Sequence, residues 1–340
     1  MTYLAVHRRE SIGGRLHQTF AEKKVEVKKE EQRLSKLKSS LGAVSNGLPR
    51  EKVSTEYLVP EVEYWVETEP VKALKEKVKN WLSLNWPVHI IGPTGCGKTT
   101  LSLRIAKELG RPVVWLNGDE SVTTTDLIGG YSEIEVTTIR DKYIHNVFKD
   151  KDILKADWVD NPLTLACKYG YTLIYNEFSR AKPSANNVLL SVFSEGVLEL
   201  PTQFGEERYV KVHPDFRAIF TSNPVEYAGV HRAQDALLDR MVGVYMDYYD
   251  RESEVEIVMA HTKADRKDAA AVVDLVRKVR EKLPEAEKVG TRACVMVAQM
   301  LKRVNKFDKQ SIKALLGDVI ATKTKTRQDF LNRARILDSI

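Results

Sequence analysis

Residues 92–99 read Gly92-Pro93-Thr94-Gly95-Cys96-Gly97-Lys98-Thr99, a complete G-x-x-x-x-G-K-[ST] pattern. They stand between a strand-like run, Pro87-Val88-His89-Ile90-Ile91, and a helix-like run, Leu101-Ser102-Leu103-Arg104-Ile105-Ala106-Lys107. This strand–loop–helix context constrains the fold more than any other feature of the chain. The glycines let the backbone curl until its N–H groups face phosphate oxygens. The helix that follows offers unpaired N–H groups and the positive end of its dipole to an anion. Lys98 can reach the β- and γ-phosphates of a nucleoside triphosphate, and the Thr99 hydroxyl can ligate Mg²⁺. Gly92, Pro93, Thr94, Gly95, Cys96, Gly97, Lys98, Thr99 and Thr100 are therefore the candidate nucleotide-binding set, with ATP and Mg²⁺ as the expected cofactors.

The remaining sequence narrows the partners. No run of 18 apolar residues is present, and the N-terminus lacks a signal-peptide apolar block, so a cytoplasmic protein without a membrane span is expected. Three cysteines, Cys96, Cys167 and Cys294, lie far apart and suit reduced thiols. The seven histidines show no metal-ligand spacing. The net charge of +6 is uneven. Residues 1–50 carry 11 Lys/Arg against 5 Asp/Glu, while the other 290 residues carry 42 of each sign. A globular part without net positive charge has no field to steer nucleic acid, which is excluded as a partner.

The chain divides into three segments. Residues 1–55 read as a basic extension, disordered or helical. Within it Val27, Leu34 and Leu41 recur every seven residues, with Leu37 between them and Glu30 spoiling one seam position. Residues 56–248 read as an α/β core. An amphipathic helix spans 71–86, and buried strands are expected at 87–91, 112–117, 170–177 and 216–223. Another helix is expected over 183–195. Short apolar strands alternating with helices argue for a parallel sheet covered on both faces. Residues 249–340 lose the strand signal, and helical periodicity marks 265–283, 291–304, 311–321 and 327–340.

A nucleotide hydrolase needs more than a phosphate loop, and ligands of α/β sheets sit beyond the carboxyl ends of the strands. Glu177 ends one expected strand and is the candidate for orienting water; a solvent-facing helix cap is the alternative. Asn176 precedes it, where an aspartate near Mg²⁺ would be usual. An amide still accepts a hydrogen bond from a metal-bound water but brings no charge, so slow turnover is expected. Asn223 ends another strand and can bond the γ-phosphate or the water, or simply form an Asx turn before Pro224. Arg240, in Leu237-Leu238-Asp239-Arg240, suits a bidentate phosphate contact or an ordinary helix ion pair. Arg292 opens a helix of the C-terminal segment and either reports nucleotide state or lies idle on the surface. The Cys96 thiol either lines the nucleotide path, where ATP would protect it from labelling, or fills space under the loop.

In this order, the phosphate loop, Asn176-Glu177, Ser222-Asn223-Pro224 and Leu237-Leu238-Asp239-Arg240 resemble an AAA+ ATPase of the MoxR branch. Val197–Leu200 and Tyr209–Val212, around a polar turn at Gly205-Glu206-Glu207, resemble its helix-2 β-hairpin insert. Trp158-Val159-Asp160-Asn161, Ala185-Asn186-Asn187 and Glu226-Tyr227-Ala228-Gly229-Val230-His231 closely resemble the gas-vesicle protein N (GvpN) family, which is grouped with CbbQ, NirQ and NorQ. The resemblance covers roughly residues 68–262. It implies an α/β AAA+ P-loop NTPase fold with a hairpin insert and a C-terminal helical lid. It also implies a homo-oligomeric ring, expected to be a hexamer, in which Lys98 and Thr99 are Walker A and Glu177 is the Walker B glutamate. Asn223 becomes sensor 1, Arg240 a finger acting on a neighbour's nucleotide, and Arg292 sensor 2; Thr99 and Asn176 lie nearest the metal. The implied function is ATP-driven remodelling in gas vesicle formation, with vesicle shell or accessory proteins as partners. An activase of the CbbQ/NorQ kind and an ATP-binding assembly scaffold with little hydrolysis are the alternatives. A DNA motor or transcriptional activator is disfavoured by the neutral core and by the missing Gly-Ala-Phe-Thr-Gly-Ala loop.

Overall fold

A computed structural model describes residues 59–131, 135–143, 147–155, 158–202, 208–223, 234–305, 307–322, 324 and 326–340, with only the backbone described over 135–155. All of these lie in the unit Tyr57–Ile340. The heptad-like segment, the Gly205-Glu206-Glu207 turn and the Pro224–His231 phrase lie outside the described residues.

The organising element is a five-stranded sheet. Its strands are β1 (Val88–Ile91), β2 (Val113–Asn117), β7 (Thr172–Asn176), β10 (Arg217–Ser222) and β11 (Val242–Tyr245). They are ordered β11-β1-β10-β7-β2, and every neighbouring pair is parallel. The three inner strands are apolar almost throughout because helices cover both faces: Ile90, Ile174, Tyr175, Ile219 and Phe220 are fully buried. The fifth strand was not expected from sequence. At the sheet edge only Val244 of its four residues is buried, and Gly243 interrupts the apolar run, so the usual signature is missing.

Connectivity positions the site. The chain leaves β1 through helix α2 (Lys98–Glu108) to β2 at one edge, and reaches β11 on the other side of β1 after β10. Successive connections therefore part at the carboxyl end of β1, the crevice where α/β sheets bind ligands. Ahead of β1, helix α1 (Glu69–Ser83) buries Val71, Lys75, Val78 and Leu82 on one stripe. It stops short of the expected Trp86 because Asn85 adopts a left-handed conformation (φ 65°) and Pro87 follows.

Between β2 and β7 lie α3 (Thr124–Ile128), β3 (Gly129–Tyr131), β4 (Glu135–Tyr143), β5 (Val147–Lys155), β6 (Trp158–Asp160) and α4 (Pro162–Tyr169). β3 pairs antiparallel with β6, and β4 with β5 from Glu135↔Lys155 to Tyr143↔Val147. Sequence reasoning missed this second hairpin, because its charge-rich strands have no apolar face to reveal them. The helix expected over 183–195 is two pieces, α5 (Pro183–Asn186) and α6 (Val188–Ser194), joined through Asn187, whose backbone stays right-handed helical. Asn186 is buried and its Oδ1 accepts the Tyr175 hydroxyl at 3.1 Å. The expected hairpin insert follows as β8 (Val197–Glu199) paired antiparallel with β9 (Tyr209–Lys211).

After α7 (Asp235–Leu238) and β11 the chain is helical: α8 (Arg251–Thr262), α9 (Arg266–Lys282), α10 (Thr291–Val304), α11 (Lys309–Ala321) and α12 (Arg327–Asp338). Helix α8 was not foreseen; its first turn is fixed by Asp250, whose carboxylate accepts the Ser253 N–H at 3.0 Å. These helices share an apolar cluster that includes Val258, Val276, Cys294, Ala298, Leu301 and Leu316. Two further clusters sit on the faces of the sheet. Among the described residues, no helix is long and apolar enough to cross a membrane.

Candidate nucleotide site

The loop between β1 and α2 wraps around its own lysine. Gly95 and Gly97 have φ of 79° and 101°, a region closed to most side chains, and these turns let the loop fold over Lys98. The Lys98 ammonium is buried and donates to the carbonyls of Gly92 and Pro93, each at 2.9 Å. A buried ammonium held by two neutral carbonyls keeps its full charge uncompensated, which suits it to an incoming polyphosphate.

Of the two readings of Cys96, the structure favours the space-filling one. Its thiol is 1% exposed and sits among Val78, Leu101, Ile105, Val244 and Met246 beneath the loop, 3.8 Å from the Met246 carbonyl. It offers the nucleotide backbone, not sulfur. Burial also raises its pKa and pushes Cys167 up to about 12, and all three cysteines are free and buried. The folded chain should therefore show no fast-reacting thiol with or without ATP, and labelling should track unfolding. Rapid ATP-sensitive modification of Cys96 in a thiol titration would contradict this placement.

At the carboxyl ends of β7 and β10 a hydrogen-bonded chain assembles beside the loop. The Thr99 hydroxyl donates to Asn176 Oδ1 at 3.0 Å, and the Thr221 hydroxyl donates to the same oxygen at 2.8 Å. The other end of the amide donates to Asn117 Oδ1 at 3.2 Å. The Glu177 N–H donates to Thr221 Oγ1 at 3.0 Å. Asn176 Oδ1 is thus shared by two protein hydroxyls, where the sequence had suggested a metal-bound water. Glu177 itself is half-buried and has φ 52°. The other described non-glycine residues with positive φ, Asn85, Lys263 and Asn305, all lie at helix C-termini, where this conformation is routine. Glu177 alone among them turns at the end of a strand. Asn223 is buried and donates from its amide to the Thr94 hydroxyl in the loop.

The C-terminal helices close the other side. A pocket of about 200 Å³ is lined by Gly95, Gly97 and Thr100 of the loop region, by Tyr64 and Trp65 ahead of α1, and by Ile257 and His261 of α8. Thr291 and Arg292, at the start of α10, line it too. The Tyr64 and His261 rings lie 4.9 Å apart at a tilt of 53°. An apolar wall beside a phosphate-sized loop fits a base and a polyphosphate together. Of these residues the sequence indicated only the loop and Arg292. The wall drawn from residues 64–65 and α8 carries no motif, and Thr221 and Asn117 show no signal beyond their strand-end positions.

Arg240 is not brought to this pocket. Its guanidinium bonds the Ser194 hydroxyl and the Ala236 carbonyl, and it lines a groove with Leu84, Trp86, Pro87 and Phe193. That groove lies at the amino end of β1, where the Val242 N–H meets the Pro87 carbonyl. Among the described residues, no group of three or more His, Cys, Asp or Glu could hold a metal ion. An Mg²⁺ would have to rely on Thr99, on phosphate oxygens and on water. The paired oxygens of Thr99 and Asn176 suit a hard cation of this kind.

Comparisons with known proteins identify the family. Residues 87–241 match the AAA domain (dynein-related subfamily). The gas vesicle ATPase GvpN of Haloferax mediterranei is 56% identical over 275 residues, covering 81% of this chain and 79% of that protein. GvpN1 of Halobacterium salinarum is 53% identical over 275 residues, with the same coverage of 81% and 79%. Protein NorQ of Paracoccus denitrificans is 27% identical over 225 residues, 66% of this chain and 76% of that protein. Among solved structures, a mutant RuvB of Thermotoga maritima aligns at a TM-score of 0.46 and 16% identity, over 76% of this chain and 73% of that one. With an AAA+ P-loop fold, a phosphate loop at the sheet's switch point and such identity along most of its length, the chain belongs to the gas vesicle ATPase GvpN family.

Proposed function

We propose that this chain is an ATP-hydrolysing remodeller acting in gas vesicle formation, working as a closed ring, expected to be a hexamer, in the cytoplasm and at the vesicle. The observation that carries the reading is the linked set at one end of the sheet: Lys98 in its loop, Thr99 on Asn176, and Asn176 joined through Thr221 to the backbone of Glu177. The names of the close relatives supply the vesicle context. Residues 56–248 are then the ATPase core and 249–340 its lid, with residues 1–55 as an extension.

In this reading Lys98 leaves its two carbonyls for the β- and γ-phosphates, and the backbone N–H groups of residues 95–99 cradle the remaining oxygens. Thr99 and Asn176 would hold Mg²⁺, which when bound would supply charge neutralisation at the phosphates. Glu177 orients a water for attack on the γ-phosphorus and takes its proton as the bond to the bridging oxygen breaks. Glu177 takes a left-handed turn at the strand end, tied down by Thr221; strained backbone of this kind clusters at functional positions. Asn223 and Arg292 approach the γ-phosphate from the core and the lid.

One observation favours a second reading, a scaffold that binds ATP and barely hydrolyses it. Asn176 brings no charge, and its oxygen is already engaged by two hydroxyls. Asn176→Asp decides how much that matters. The carboxylate can accept the same two hydroxyls while adding a negative charge beside the metal, so half-maximal turnover should require less Mg²⁺, with an equal or higher rate. An unchanged Mg²⁺ titration would mean that the position does not sense the ion. The vesicle role itself is tested by replacing the protein with its Lys98→Ala form in the cells that make it. Vesicles should fail to form or remain small, and normal vesicles would rule the role out.

A further inference from the structure

A buried ion cluster sits beneath the first turn of α10. Glu254 of α8 is completely buried. It accepts from Arg280 of α9 at 2.7 and 3.3 Å, from Arg277 at 2.9 Å and from the Thr291 hydroxyl at 2.8 Å. Arg280 is also buried; its Nε donates to the Val289 carbonyl at 2.7 Å, and its guanidinium lies 4.1 Å from the centre of the Tyr248 ring. Arg277 donates in addition to the Tyr249 carbonyl at 3.1 Å.

Two of the residues that this cluster holds, Tyr249 and Thr291, belong to the wall of the pocket. Val289 and Thr291 are pinned on either side of Gly290. A Cβ on Gly290 would come within 2.7 Å of the carbonyl oxygens of both Thr94 and Gly95, so this backbone lies directly on the phosphate loop. Thr291, Arg292 and Tyr249 line the pocket, and the Tyr249 ring lies 3.6 Å from where a Cβ on Gly97 would stand. A buried ion pair is a poor way to stabilise a core that apolar side chains could fill. Here the bonds that leave the cluster end on Tyr249, which lines the pocket, and on Val289, two residues before Thr291 of the same wall.

We propose that the Glu254–Arg280 pair is a positioning device for nucleotide retention. It holds residues 289–291 against the phosphate loop, so that the lid keeps its grip on a bound nucleotide. Neither Glu254 nor Arg280 lines the pocket, so both act through Thr291, Gly290 and Tyr249. The proposal rests on residues 92–100 being the nucleotide site, and its test separates the two claims.

The experiment measures dissociation of N-methylanthraniloyl-ADP from the full chain by stopped flow, with the heat-unfolding midpoint of each nucleotide-free variant recorded beside it. Arg280→Lys keeps the charge on Glu254 but loses the bond to Val289 and the stacking on Tyr248. Thr291→Val loses one hydroxyl donor, and Thr291→Ser keeps it. Arg280→Lys and Thr291→Val should each release the probe about ten-fold faster, the scale of one charge-assisted hydrogen bond. Thr291→Ser should match the parent, and midpoints should stay within ~3 °C. Parental release rates in Arg280→Lys and Thr291→Val overturn the proposal, as does a Thr291→Ser variant as fast as Thr291→Val. Faster release accompanied by a collapse of the nucleotide-free midpoint also overturns it, because general loosening would then be the cause. Lys98→Ala is the control for the site: if it binds the probe as tightly as the parent, the assignment of residues 92–100 fails first, and the proposal falls with it.

Discussion

Glu177→Gln should bind ATP as the parent does and hydrolyse it slower by ~10²–10⁴-fold, the range by which a positioned base accelerates proton transfer. The separation of the two effects follows from the layout of the site. The elements that hold phosphate, Lys98 and the glycine turns, lie in the loop after β1, whereas Glu177 follows β7, two strands away across β10. The amide is isosteric with the carboxylate, and the contact that fixes the turn is made by the backbone N–H of residue 177 to Thr221, which the substitution leaves in place. A lowered affinity would mean that the side chain supports the loop. Unchanged turnover would remove Glu177 from the chemistry and leave the scaffold reading as the better one. Both are read by ATP titration with a fluorescent analogue and by phosphate release at saturating ATP.

Arg240→Ala should also bind ATP nearly normally, yet lose turnover by as much as ~10³-fold if Arg240 acts as an arginine finger. Its position makes action within one chain untenable. Arg240 borders a groove at the amino end of β1, and the phosphate loop begins at the carboxyl end. Four residues of strand separate them, roughly 13 Å at ~3.3 Å per residue, and the guanidinium is turned towards Ser194 and Ala236. As a finger, the arginine would therefore act on a nucleotide held by another copy. Mixing Arg240→Ala with Lys98→Ala subunits tests this directly. Some junctions would pair an intact loop with an intact arginine from different chains, and activity absent from either mutant alone should return in part. The rescue should fade on dilution, since a closed assembly depends on protomer concentration. Mixed rings that stay inactive at every ratio would reduce Arg240 to the local hydrogen bonds it makes here.

The sequence by itself determined the parts that rest on local chemistry. Gly95, Gly97, Lys98 and Thr99 specify a phosphate loop because turn geometry and the helix start that follows are set within ten residues. The inner strands declared themselves because burial on both faces demands continuous apolar runs such as Leu173-Ile174-Tyr175 and Ile219-Phe220. The lid helices from α9 onwards were legible from their 3.6-residue periodicity, with Thr291–Val304 matching to the residue. Asn176, Glu177 and Asn223 stood out because they end such strands.

Tertiary structure alone decided what depends on edges and on distant partners. The edge strand β11 buries too little to leave a hydrophobic signature, and the sequence of the β4–β5 hairpin is too rich in charge to carry one. The direction of the Cys96 thiol follows from what packs below the loop, namely Leu101, Ile105 and Met246, and not from the loop's own pattern. The two hydroxyls on Asn176 come from α2 and β10, separated from it by 77 and 45 residues. Gly290 read in sequence only as the residue before a helix, yet in the fold it is the point where the lid rests on the phosphate loop. In sequence, Arg277 and Arg280 looked like ordinary charges on one expected helix, and Glu254 lay outside any expected element. Only the burial of Glu254 and Arg280 among three helices, where an unpaired charge could not survive, joins them to the pocket.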